Sequence, residues 1–70
     1  MTNTIYRAYE KNDGFTSYAR ITDIDIATGN AKGIDLYTGK KVTIKYNRVF
    51  DKVYFTEQEI KTRFPNYKVA

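Results

Sequence analysis

The stretch IDIATGNAKGIDLYTGKKVTI, residues 24–44, repeats itself at a spacing of ten. Ile24, Asp25, Thr28 and Gly29 recur as Ile34, Asp35, Thr38 and Gly39, and Ile26 returns as Leu36. The large aliphatic residues of the stretch are all even-numbered: Ile24, Ile26, Ile34, Leu36, Val42 and Ile44, joined further on by Tyr46. Side chains alternate across a strand, so an even set reads as one face of a sheet. One face persists through a hairpin only if the loop holds an odd number of residues. Three-residue loops fit, each a type I turn closed by a left-handed glycine. Ala27-Thr28-Gly29 and Tyr37-Thr38-Gly39 are the expected loops, giving a three-stranded meander with one buried face. That register sets Asp35 opposite Lys41. It turns Asp23, Asp25, Asp35, Tyr37, Lys41, Thr43 and Lys45 outward together.

Working outward, Ile5, Arg7 and Tyr9 alternate with Tyr6, Ala8 and Glu10, the pattern of a first strand. Asn12-Asp13-Gly14 is a turn signal, because Asn and Gly tolerate positive φ. Phe15 to Ala27 reads as a second strand whose alternation breaks near Thr22-Asp23: Ile21 is odd, Ile24 and Ile26 are even. A β-bulge there would reset the phase and let the strand turn a corner. Val53-Tyr54-Phe55 forms a short strand. Thr56 and Glu59 then make a capping box, with Phe55 and Ile60 as its hydrophobic staple. The helix runs from Glu57 to about Arg63, with acidic residues at its start and basic ones at its end, and Pro65 stops it. Asn66 to Ala70 is a last short strand or a tail. The expected fold is mainly β: a small antiparallel curled sheet or SH3/OB-like barrel of about five strands with one short C-terminal helix, in a single domain over residues 1–70.

Seventy residues build one small domain, whose core alone supplies only about 3–5 kcal/mol. Cysteine and histidine are both absent, which removes disulfides and the usual zinc ligands. A homo-oligomer is the staple still open. Seven tyrosines and four phenylalanines supply the bulk of the core. Neither a signal peptide nor an apolar run of membrane-spanning length is visible, so a soluble cytoplasmic protein is expected. The heavy use of Ile, Lys, Asn and Tyr, residues with A+T-rich codons, points to an A+T-rich genome.

A net charge of +4 permits a polyanionic partner. Without Cys or His the commonest nucleophile pairs and the commonest general base are missing. Ser17, the only serine, has nothing near it in sequence to activate it. A Ser-Lys device is the one nucleophilic arrangement the composition still allows. Glu57 and Glu59 are accounted for by the helix start. Asp23, Asp25 and Asp35 on one surface could attract a hard cation, or simply be a solvated patch balanced by Lys41 and Lys45. No phosphate-binding or dinucleotide motif is present. The chain therefore reads as a non-enzyme with no cofactor and no metal.

The most suggestive segment is Lys40 to Arg48. Lys41, Thr43, Lys45 and Asn47 alternate outward while Val42 and Ile44 point in. Lysines on a strand with tyrosines nearby suit phosphates and unpaired bases. The candidate nucleic-acid-binding residues are Lys41, Lys45, Arg48, Tyr37, Lys40 and Lys52, with Arg7, Arg20 and Tyr18 extending the surface if their strands adjoin it. The plainer interpretation is that lysines on an edge strand discourage unwanted pairing. In size, composition and lack of catalytic residues the chain resembles small accessory proteins of phages and mobile elements; that likeness implies no site residue. The alternative to nucleic acid is a protein partner, met through a sheet edge or a tyrosine patch by an accessory or inhibitor protein. No membrane contact is expected.

Overall fold

The structure, a computed structural model, describes residues 4–68. Five antiparallel strands, β1 Thr4–Glu10, β2 Thr16–Asp25, β3 Asn30–Asp35, β4 Lys41–Lys45 and β5 Val49–Phe55, form one sheet in the order β4-β3-β2-β1-β5. A 3₁₀ turn, Tyr46–Arg48, carries the chain from β4 to β5, and α1, Glu57–Arg63, follows. β4 and β5 are the two edges, so the sheet is curled but not closed. No helix among the described residues is long and apolar enough to cross a membrane.

The expected break in β2 is present: the β2–β3 register shifts between Ile21 and Asp23. A second shift, opposite Arg7 and Tyr9, interrupts β5. This irregularity hides the strand's alternation, so β5 begins at Val49 rather than Val53.

The repeated corners hold four residues each, not three. Asp25 pairs with Asn30, leaving residues 26–29 as the loop. The Asp35 N–H donates to Lys40 O (2.9 Å), leaving 36–39. The aspartate before each loop explains the extra residue. Asp25 Oδ1 accepts from Ala27 N (3.0 Å) and Thr28 N (3.4 Å), and Asp35 Oδ1 from Tyr37 N (2.8 Å) and Thr38 N (3.0 Å). Gly29 and Gly39, at φ 73° and 71°, then donate to the carbonyls of Asp25 and Asp35. The left-handed turn needs glycine.

An even-numbered loop pairs odd with even residues, and the apolar set is divided between both faces. Ala31 faces Ile44 and Gly33 faces Val42 on one side; Lys32 faces Thr43 and Ile34 faces Lys41 on the other. Two clusters result. On the helix side Tyr6, Leu36 and Phe55 pack with Ile60, Phe64 and Tyr67, flanked by Tyr18, Ile34 and Val53. On the far side Tyr9, Ala19 and Ile44 pack together, flanked by Ile21, Val42 and Val49. Strands lie about 4.8 Å apart, so only curling brings Ile44 of edge strand β4 into the cluster of Tyr9, three strands away.

The capping box is formed as the sequence predicts. Thr56 Oγ1 accepts from Glu59 N (3.1 Å), and Glu59 Oε1 accepts from Thr56 N (3.0 Å). These backbone and side-chain bonds from Thr56 hold the Glu59 carboxyl below its ordinary pKa. Past Pro65 the chain docks rather than adding a strand: Tyr67 is buried in the helix-side cluster and Asn66 Nδ2 donates to Tyr37 O (3.0 Å). Val69 and Ala70, the end of the expected tail, lie outside the described residues.

Candidate nucleic-acid interface

Residues directly opposite in an antiparallel pair share a face. Ile34 belongs to the helix-side cluster, so its cross-strand partners Arg20 and Lys41 lie on the helix-side face. By alternation along β3 and β4, Lys32, Asn30, Thr43 and Lys45 lie there too, as does Asp23 opposite Lys32. The helix and the segment after it cover the part of this face built by β1, β5 and the start of β2. The β3–β4 end is left open, and Arg20, Lys32, Lys41, Thr43 and Lys45 are exposed on it.

Four cations thus share the open half-face with two carboxylates. Asp23 is exposed; Asp25 is half-buried, with its Oδ1 engaged by the turn. The two ion pairs among the described residues, Lys11–Asp13 at 3.6 Å and Lys61–Glu57 at 3.3 Å, lie elsewhere. Arg20 marks the border with the core: its hydrogen bond to Tyr67 raises its pKa above the ordinary value.

Of the six residues singled out from sequence, Lys41 and Lys45 lie together on this face. Lys40 and Tyr37 stand beside it, in the corner that leads into β4. The Tyr37 ring is 48% exposed and meets Phe64 edge-on at 5.0 Å. Arg48 does not join them. It is half-buried, its Nη1 donates to Asn12 Oδ1 (3.1 Å), and it lines a cleft of about 620 Å³ between the β4 edge and the β1–β2 turn, where Lys45 also contributes. Lys52 is on the far face at the other side of the sheet, paired with Arg7. Tyr18 is on the helix-side face but packs in the core against Phe55 and Phe64.

The sequence reading overlooked Lys32 and Tyr46. A three-residue corner puts Lys32 on the buried side; the four-residue corner turns it out beside Thr43. Tyr46, counted there with the apolar face, is 48% exposed at the far end of β4, its N–H donating to Gly29 O (2.9 Å).

Asp35 is the principal correction. It does not face Lys41 from the outer surface but is 3% exposed on the far face. Its Oδ2 accepts from the Tyr9 hydroxyl and from Ser17 Oγ (2.8 Å), while Oδ1 holds the corner. Burial pushes the Asp35 carboxyl up, but bonds from Tyr9, Ser17, Thr38 and Tyr37 outweigh it and hold the group below its ordinary range. Burial and the same carboxylate raise the Tyr9 phenol. Ser17 is buried, with its hydroxyl bonded to Asp35. The network joins β1, β2 and the second corner. With Asp35 on the opposite face from Asp23, the three aspartates do not gather, and no metal-holding cluster of carboxylates occurs among the described residues.

Compared with protein-family models, curated proteins and solved structures, the chain matches none of them.

Proposed function

We propose that the protein is a non-enzymatic binding module that holds a nucleic acid against the open half of its helix-side sheet face. One observation supports this above the others: Arg20, Lys32, Lys41 and Lys45 share an uncovered face and form none of the ion pairs seen among the described residues. Lysine and arginine neutralise phosphates and release counterions, a sequence-independent attraction. Cations of this kind contact the phosphate backbone, which positions a nucleic acid without reading its sequence. The role belongs in the cytoplasm and suits a small accessory protein.

A fluorescence-anisotropy titration with labelled oligonucleotides tests it. Three or four phosphate contacts predict that affinity falls from about 50 to about 200 mM salt by between about 15- and 50-fold for a single strand and between about 40- and 150-fold for a duplex. Absence of binding at low salt would overturn the proposal.

A second interpretation, a protein partner at a sheet edge, is favoured by the β5 side, where Ile5 and Tyr54 are cross-strand partners and both are exposed, with Phe50 exposed nearby. Asp51 and Lys52 at the centre of that edge oppose its pairing with a second copy, because symmetric registers centred on either residue bring like charges together.

A further inference from the structure

Beyond that proposal, we infer that the free edge of β4 is a docking site for an acidic protein segment in extended conformation, which adds to the sheet as an antiparallel strand in the cleft beside the β1–β2 turn. Successive residues of an edge strand send their backbone groups in opposite directions. The ladder fixes which of them point outward. Tyr46 N–H donates to Gly29 O, and Lys40 O accepts from Asp35 N, so the even-numbered residues here bond to β3. The N–H and C=O groups of Lys41 and Thr43, and the N–H of Lys45, therefore point away from β3 to the free edge. The cleft of about 620 Å³ runs along this edge, with Tyr9, Val42 and Ile44 as its apolar lining and Asn12, Lys45 and Arg48 among its polar groups.

The pattern of the edge selects the occupant. Residues directly opposite in an antiparallel pair share a face. A strand laid against β4 sets its residues opposite Lys41, Thr43 and Lys45 on the helix-side face, and turns those between them toward Val42, Ile44 and Tyr9 on the far side. Carboxylates opposite the two lysines, with apolar side chains on either side of a neutral centre, complement it. A second copy of this chain does not. Antiparallel pairing of β4 with itself, centred on Thr43, sets Lys41 against Lys45, and like charges directly opposite destabilise. Lys45 and Arg48 form none of the ion pairs seen among the described residues. Of the two carboxylates that also line the cleft, Asp13 is paired with Lys11 and Glu10 lies on β1, across from β4. In such an added strand the main-chain bonds supply affinity and the alternate side chains supply specificity.

The test uses a labelled peptide with Glu-Val-Thr-Val-Glu at its centre, titrated against the intact protein at low salt and read by fluorescence anisotropy. It should bind at least about tenfold tighter than the same peptide with Lys for both Glu, or than the scrambled centre Glu-Glu-Val-Val-Thr. N-methylation of the central Thr amide, whose N–H faces β4, should weaken binding at least about tenfold, and N-methylation of a neighbouring Val amide, whose N–H faces away, less than about threefold. Thr43→Pro removes an outward donor while sparing the ladder to β3, and should weaken binding as the Thr methylation does; far-UV circular dichroism confirms that the variant folds. Equal binding of the alternating and scrambled peptides, or equal effects of the two methylations, would reduce the contact to charge attraction and overturn the inference. Binding of none of the peptides would overturn it as well. No nucleic acid enters the test, so each of these failures leaves the proposed function standing.

Discussion

The corners Asp25–Asn30 and Asp35–Lys40 share one backbone design: an aspartate accepting two loop N–H groups, and a left-handed glycine donating back to that aspartate's carbonyl. Their surroundings differ throughout. Leu36, first in the second loop, is fully buried, whereas its counterpart Ile26 is 91% exposed. Asp35 also takes the Tyr9 and Ser17 hydroxyls, whereas Asp25 serves its own turn. A methyl group on Gly39 would strike the Asn66 carbonyl, while one on Gly29 would meet nothing within 4 Å. The local sequence specifies a turn in both places. The energetic weight of each turn comes from what the rest of the chain brings to it, and the second corner joins both cores while the first projects into solvent.

Truncation should separate the two corners most strongly. Leu36→Ala leaves a cavity against Phe64 and Ile60 and is expected to cost about 2–5 kcal/mol, whereas Ile26→Ala should stay within about 0.5 kcal/mol. Urea unfolding followed by circular dichroism measures both, and equal losses would break the distinction. Next comes the aspartate pair. Asp35→Ala strips the partner from buried Tyr9 and Ser17 hydroxyls and should cost about 3 kcal/mol. Asp25→Ala removes only a turn-capping carboxylate, worth about 1 kcal/mol. If Asp25→Ala proves as costly as Asp35→Ala, the buried network contributes nothing beyond the turn.

The smallest effect is with pH. The Asp35 carboxyl titrates lower in the folded chain than its ordinary 3.8. A depressed folded pKa gives stability that is present above the unfolded value and lost as pH falls through the folded one. Stability should therefore decline below about pH 4, and Asp35→Asn should flatten that decline relative to the parent. Glu59 titrates in the same direction, so some decline survives in the variant. An unchanged acid limb would show that Asp35 gains nothing on folding.

Much of the fold is legible in the sequence because it is written in local chemistry. The phase break between Ile21 and Ile24 marks the bulge, Thr56 and Glu59 mark the helix start, and Gly14, Gly29 and Gly39 mark the left-handed turns. Loop length is not local in that sense. Three- and four-residue loops can both end in glycine, and what distinguishes them here is the Asp carboxylate reaching two N–H groups. That single residue reverses parity across β3. It buries Asp35, turns Lys32 outward and replaces the expected Asp35–Lys41 pair with Ile34–Lys41. The candidate surface inherits the same limit: Lys41 and Lys45 could be read from alternation along one strand, but Lys32 required the register, and the dispersal of Arg48 and Lys52 required the strand order.

The most direct measurement on the central claim sets two double charge reversals side by side. Lys41→Glu/Lys45→Glu alters the open half-face. Lys52→Glu/Lys61→Glu changes net charge by the same amount at the far face and on the helix. With both variants folded, the first should abolish oligonucleotide binding at low salt, while the second should retain most of the parent's affinity. Equal losses in the two would show that overall charge, not the face shared by Arg20, Lys32, Lys41 and Lys45, governs binding, and would contradict the account.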